Sequence, residues 1–271
     1  MIQKPRLFML LLAGSMLISH QVSAELTPGA RKVLKAHVDA MGGWENWYAV
    51  ESLRMTGTIE RDGQQIEFCI IKKRPQQIRA TLTIPIPGSD DEAMQMIRAH
   101  DGKHGWSAMR RTGEEALDKT KLTSEEAKAL LNDASVLPKL IQLWRAGCPM
   151  QIIQHPTPNN GELTHIKATP KTTDATYTFV LDQNHKVTAY THTTQDQQTT
   201  QTHLSDYQKV DDLYLPMHVE IHSEQTGRSI MTTEAVTVGV GIYEDYFASE
   251  VDLQKLPSGH TASIQRSTPS Q

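Results

Sequence analysis

Twelve histidines and two cysteines are the side chains in this sequence most able to hold a metal or attack a carbonyl, so their spacing decides what chemistry is open. His218 and His222 share one face of a strand pattern, and His100 and His104 flank a tight turn. Protein zinc sites announce themselves by closely spaced Cys/His ligands or by His-Glu-x-x-His on a helix. Neither pattern occurs, and histidines on polar strand faces account for the same residues without a metal. No Gly-x-Ser-x-Gly elbow presents a serine nucleophile, and no Cys/His pair stands in a nucleophile context. Aspartates and glutamates concentrate in turns and on polar faces, where water solvates them. The sequence therefore specifies no catalytic constellation, no metal and no cofactor. Cys69 lies in a strand pattern and Cys148 follows a helix pattern; a disulfide and two separate buried thiols both remain open.

The apolar side chains carry more information. Met94 and Met96 alternate on one strand, and Met55, Met109, Met217 and Met231 fall on others. Methionine is soft and adapts to varied apolar partners, so the set fits either an ordinary core or an adaptable pocket. Burying a methylene contributes about 0.8 kcal/mol, so a 16-carbon acyl chain offers roughly 12 kcal/mol gross. Holding a lipid is easy on these numbers, and releasing it requires a cover that moves.

The elements that would position such a pocket are mostly strands. Thr27-Pro28 opens a helix with an apolar stripe through Ala30, Val33, Leu34, Val38 and Met41, which Gly42-Gly43 stops. Trp44 and Trp47 lead into strands. Strands are predicted over 53–60, 64–72, 77–84, 94–99 and 105–109, with Asp62-Gly63 and Asp101-Gly102 as hairpin turns. Lys72-Lys73-Arg74-Pro75 closes the second of these, since proline cannot donate to a ladder. The span 122–148 changes to helical spacing, with Leu130, Leu140 and Trp144 among its apolar positions and Pro138 dividing it in two. Strands resume over 163–168, 176–181, 187–194, 201–210, 214–223 and 228–238. The cleanest alternation sets Leu215, Met217, Val219 and Ile221 against His218, Glu220 and His222. The expected fold is mainly β with helices (α+β): a strongly curved antiparallel half-barrel with a helical lid over a hydrophobic cavity. Alternation puts Met55, Phe68, Ile70, Leu82, Met94, Met96, Trp106, Tyr177, Phe179, Leu215, Met217 and Val219 on the cavity wall, with Leu130, Leu140 and Trp144 in the lid.

The ends set the compartment. Lys4 and Arg6 precede an apolar run from Leu7 to Ile18, and Val22-Ser23-Ala24 offers small residues for cleavage. Residues 1–24 read as a cleavable export signal ending at Ala24, too short to span a bilayer, which takes about 20 apolar residues. Their removal takes the net charge from −4 to −6, which argues against a nucleic-acid partner. Residues 25–256 read as one domain and 257–271 as a polar, disordered tail.

Several of these pieces, in this order, resemble the LolA-like family of periplasmic lipoprotein carriers and outer-membrane lipoprotein-sorting proteins. They are Ile71-Lys72-Lys73-Arg74-Pro75, Asp101-Gly102-Lys103 with Gly105-Trp106, Lys167-Ala168-Thr169-Pro170, Tyr177 to Leu181, and Asp206 to Pro216. The resemblance implies a periplasmic carrier of lipid or lipoprotein acyl chains that performs no covalent chemistry, trading cargo with envelope membrane proteins. It also implies that Arg74, at the matching strand end, latches the lid, while the basic edge offers a lipid phosphate an alternative partner. The amino-terminal helix and the larger helical insert depart from the dedicated carrier. A second reading is a structural or protein-interaction module of the cell envelope whose concavity is permanently filled; a hydrolase is the third.

Overall fold

A computed structural model describes residues 26–89, 92–114, 118–153, 163–171 and 175–248. The signal-like segment 1–24 and the tail 257–271 lie outside the described residues. Thirteen strands form one antiparallel sheet: β1 Ser52–Arg61, β2 Gln64–Lys73, β3 Gln77–Pro85, β4 Ala93–His100, β5 Gly105–Arg111, β6 Asp118–Lys121, β7 Met150–Ile153, β8 Thr164–Ala168, β9 Thr176–Leu181, β10 Val187–Thr193, β11 Thr199–Val210, β12 Leu213–Ser223 and β13 Gly227–Val238. Their order is β6-β5-β4-β3-β2-β1-β13-β12-β11-β10-β9-β8-β7, open at both edges. Every pairing thus joins neighbours in sequence except one, the seam where β1 meets β13, and the consecutive strands β6 and β7 form the two edges.

Helices α1 (Pro28–Ala40), α2 (Trp44–Ala49), α3 (Ser124–Asp133) and α4 (Lys139–Arg145) lie on one face of the sheet. Thr27 caps α1 by accepting from the Ala30 amide, and Pro28 fills its first turn. Gly42 then turns the chain at φ +113°, so close to the sheet that a Cβ there would meet the Asp212 carbonyl at 2.2 Å. The residues after it, expected only to lead into the first strand, form the short helix α2; Trp47 is fully buried and donates from Nε1 to the Met41 carbonyl at 2.9 Å. A capping box between Thr123 and Glu126 starts α3, and the segment ending in Pro138 separates it from α4. The α3–α4 pair connects β6 to β7, so it bridges the two outer edges of the sheet.

The core lies between that face and the helices. Val38, Met41, Trp47, Leu53, Leu137, Ile141, Leu213, Met217 and Val236 form one cluster, and Leu34, Leu140, Met150, Ile166, Phe179 and Leu181 another. The opposite face holds a smaller core under the chain that follows β13. There Ile242, Tyr246 and Phe247 pack on Ile71, and Trp106 Nε1 donates to the Phe247 carbonyl at 2.8 Å. Buried Arg79 donates to the Tyr246 carbonyl at 3.0 Å, with its guanidinium over the rings of Tyr246 and Trp106. Trp106 therefore faces away from the helices, contrary to its expected place on the cavity wall. Its partner across the hairpin is Ala99, while His100 pairs with Gly105, so the turn register assigns the tryptophan to the back of the sheet. Cys69 and Cys148 are both free thiols.

Candidate functional site

A cavity of about 220 Å³ lies between the sheet and the helical cover. Its floor comes from Leu53 and Met55 of β1, Lys72 of β2, Phe179 of β9, Tyr190 of β10, Leu204 and Tyr207 of β11, Leu215 and Val219 of β12, and Met231 and Val236 of β13. Its roof is the segment Ser135–Leu140, with His37 of α1 and Met41 at that helix's C-terminal cap. Lys72 and Phe179 sit six strands apart in the sheet order. On a flat sheet that separation is roughly 29 Å at about 4.8 Å per strand. Sharing one small cavity therefore requires the sheet to curl around it, and this curl makes the half-barrel.

Period-two alternation accounts for the floor. Residues directly paired across antiparallel strands point the same way, so Met55, Ile70, Ala80 and Arg98 form one row, and Phe68, Leu82, Met96 and Met109 form the next. Both rows belong to the helix-facing side. Of the residues expected to line the cavity, Met55, Leu140, Phe179, Leu215 and Val219 do so. Met217 shares their face but is buried under α1 and α2 at 1% exposure. Phe68, Ile70, Leu82, Met94 and Met96 share it too, extending the apolar floor beyond the cavity towards β5. The row ends at Met109, which is 55% exposed. Tyr177 stacks on Phe179 and His192 outside the cavity.

The cover is unevenly held. Leu140 and Ile141 bury α4, and Trp144 packs at a tilt against Trp44 of α2, with ring centroids 5.3 Å apart. By contrast α3 buries no residue completely, and Leu130 is half-buried. An ion pair between Glu126 and Arg98 of β4, at 3.0 Å, ties α3 to the floor from two exposed side chains. Arg74, the expected latch, donates to the carbonyls of Val50 at 2.6 Å and Trp47 at 2.9 Å. It fastens the end of α2, and α2 in turn meets α4 where Trp44 packs at a tilt on Trp144 and the Arg145 guanidinium lies over Tyr48.

The alternation and the motifs left several lining residues unnamed. Tyr207 donates its hydroxyl to the Val187 carbonyl at 2.7 Å. His37 Nδ1 lies 2.7 Å from the His185 carbonyl; only a protonated nitrogen satisfies that oxygen, which leaves Nε2 buried without a partner. Burial pulls His37 down to about 4. Lys72 was read as part of a basic strand end, although continuing the alternation from Phe68 through Ile70 reaches it directly. Burial brings its ammonium down to about 8. Among the described residues no group of three His, Cys, Asp or Glu side chains is placed to hold a metal ion.

An open, curled antiparallel sheet enclosing an apolar cavity under helices defines a LolA-like fold. NE2245, a LolA superfamily protein from Nitrosomonas europaea, matches it with a TM-score of 0.53 at 8% identity, covering 81% of this chain and 97% of its own. A DUF1329 family protein from Desulfovibrio piger matches with a TM-score of 0.52 at 9% identity over the same shares. At such identities the likeness is one of fold. No family model matches the chain, and no curated protein matches it in sequence.

Proposed function

We propose that the protein is an exported, periplasmic carrier that binds acyl chains of lipid or lipoprotein between sheet and cover, without covalent chemistry. The observation that carries this reading is the apolar cavity itself, roofed by the Ser135–Leu140 segment of the helical connection that joins the two outer edges of the sheet. At about 220 Å³ it exceeds the ~150 Å³ apolar cavity that accepts benzene, yet falls short of the roughly 300–1,000 Å³ typical of ligand pockets. It accepts part of an acyl chain as it stands, and a whole chain once α3 lifts and opens the apolar floor towards Met109. Export through cleavage after Ala24 supplies the compartment; no helix among the described residues is long and apolar enough to cross a membrane.

Native mass spectrometry of gently extracted protein tests the reading. The expected spectrum shows adducts with the mass of lipid or acylated peptide on a chain beginning at Glu25. A folded chain carrying no adduct, which also takes up none when offered phospholipid vesicles, would favour the envelope interaction module with a filled concavity.

A further inference from the structure

Three basic residues follow one another at the end of β2, and they meet different fates. Lys73 Nζ donates to the Ile242 carbonyl at 2.7 Å on the back of the sheet. Arg74 is spent on two carbonyls at the end of α2. Lys72 points the other way, from the row it shares with Leu53 and Ile78 into the apolar cavity. There it makes no hydrogen bond or ion pair with any described residue. The opposite charge that acts on it is Asp133, and this carboxylate is paired with Lys139 Nζ at 3.6 Å. Lys139 also lines the cavity. Two ammonium groups and one carboxylate leave that end of the cavity with an excess positive charge under a low-dielectric roof.

An uncompensated ammonium among apolar walls costs stability, and a stability cost of this kind suits a binding site, where the ligand supplies the missing charge. We propose that Lys72 receives the headgroup of an anionic single-chain amphiphile, its carboxylate or phosphate, while the chain lies against Met55, Leu215 and Val219. The inference rests on the acyl-binding reading and adds head-inward orientation and charge selectivity. The burial that lowers the Lys72 ammonium to about 8 agrees with a site lacking its counter-ion, and still leaves the group protonated at neutral pH.

Calorimetric titration of the full-length mature protein with laurate, lauryl phosphate and methyl laurate tests it. A charge-assisted hydrogen bond predicts that at least one anion binds about ten- to a hundred-fold more tightly than the ester, and the stronger anion identifies carboxylate or phosphate as the headgroup. Lys72→Met should reduce the anions to the level of the ester, and Lys72→Arg should keep the preference. Equal binding of ester and anions by the wild-type protein, or a preference that survives Lys72→Met, overturns the role of Lys72 and leaves acyl binding standing. Binding of none of the three overturns both.

Discussion

His37 shows what the cavity wall costs. Its imidazole is neutral in the fold down to about pH 4, whereas in the unfolded chain it takes a proton near 6.5. Below 6.5 the unfolded state binds more protons, so stability falls as pH drops from there to about 4 and is fully present above. This lowering corresponds to a loss of about 3 kcal/mol at full protonation. His185 and Asp182 are the other charged or titratable groups acting on it. Urea denaturation at pH 7 and pH 5 should differ by about 2 kcal/mol from this group, and His37→Gln should remove that share. An unchanged slope in the variant assigns the acid sensitivity elsewhere. Legibility at this scale follows the physics of strands. Met55, Phe179, Leu215 and Val219 were readable because alternation has a strict period of two. Trp106 misled because it stands three residues from Met109, so the two cannot share a face; only the pairing of Ala99 with Trp106 decides which one points inward. Lys72 was hidden by its charge, which made it look like surface.

The elements show where backbone geometry leaves no freedom. The β1–β13 ladder slips at Thr56/Gly57, and a Cβ on Gly57 would sit 2.0 Å from the Thr232 carbonyl. A bulge at that position adds bend to the two central strands, which helps the sheet curl. Gly57→Ala must displace backbone, and is expected to cost more than about 2 kcal/mol in denaturant unfolding. Gly241→Ala meets nothing within 4 Å and should stay within about 0.5 kcal/mol. Equal effects would mean that the central strands tolerate separation. The longer elements were legible to within a residue or two, since turn chemistry at Asp62-Gly63 and capping at Thr27 and Thr123 are local. The elements α2, β6 and β7 escaped. Both strands are four-residue edges, too short to display a period, and α2 is a six-residue helix stabilised by burying Trp47 rather than by its own pattern.

Across the whole molecule, stability is distributed unevenly. The seam strands β1 and β13 are paired on both sides and lie over the main core, whereas α3 rests on the sheet through half-buried side chains and one exposed ion pair of small worth. Amides of 124–133 should therefore exchange with solvent through local opening, orders of magnitude faster than those of β1, β2, β12 and β13. Added laurate should slow them. Equal protection of α3 and the central strands would describe a roof that does not lift, and would count against cargo exchange.

The seam also governs how the chain reaches this shape. Every strand pairing but one joins neighbours along the chain, so β1 to β6 and β7 to β13 are each able to zip up as independent meanders. Uniting them requires Leu53 to find Val238, a contact near opposite ends of the described chain. Forming so distant a contact pays loop-closure entropy before it yields packing. Refolding should thus proceed by fast assembly of two ribbons and a slower stitch between them, and a chain halted before the stitch would expose two long bare strands to its neighbours.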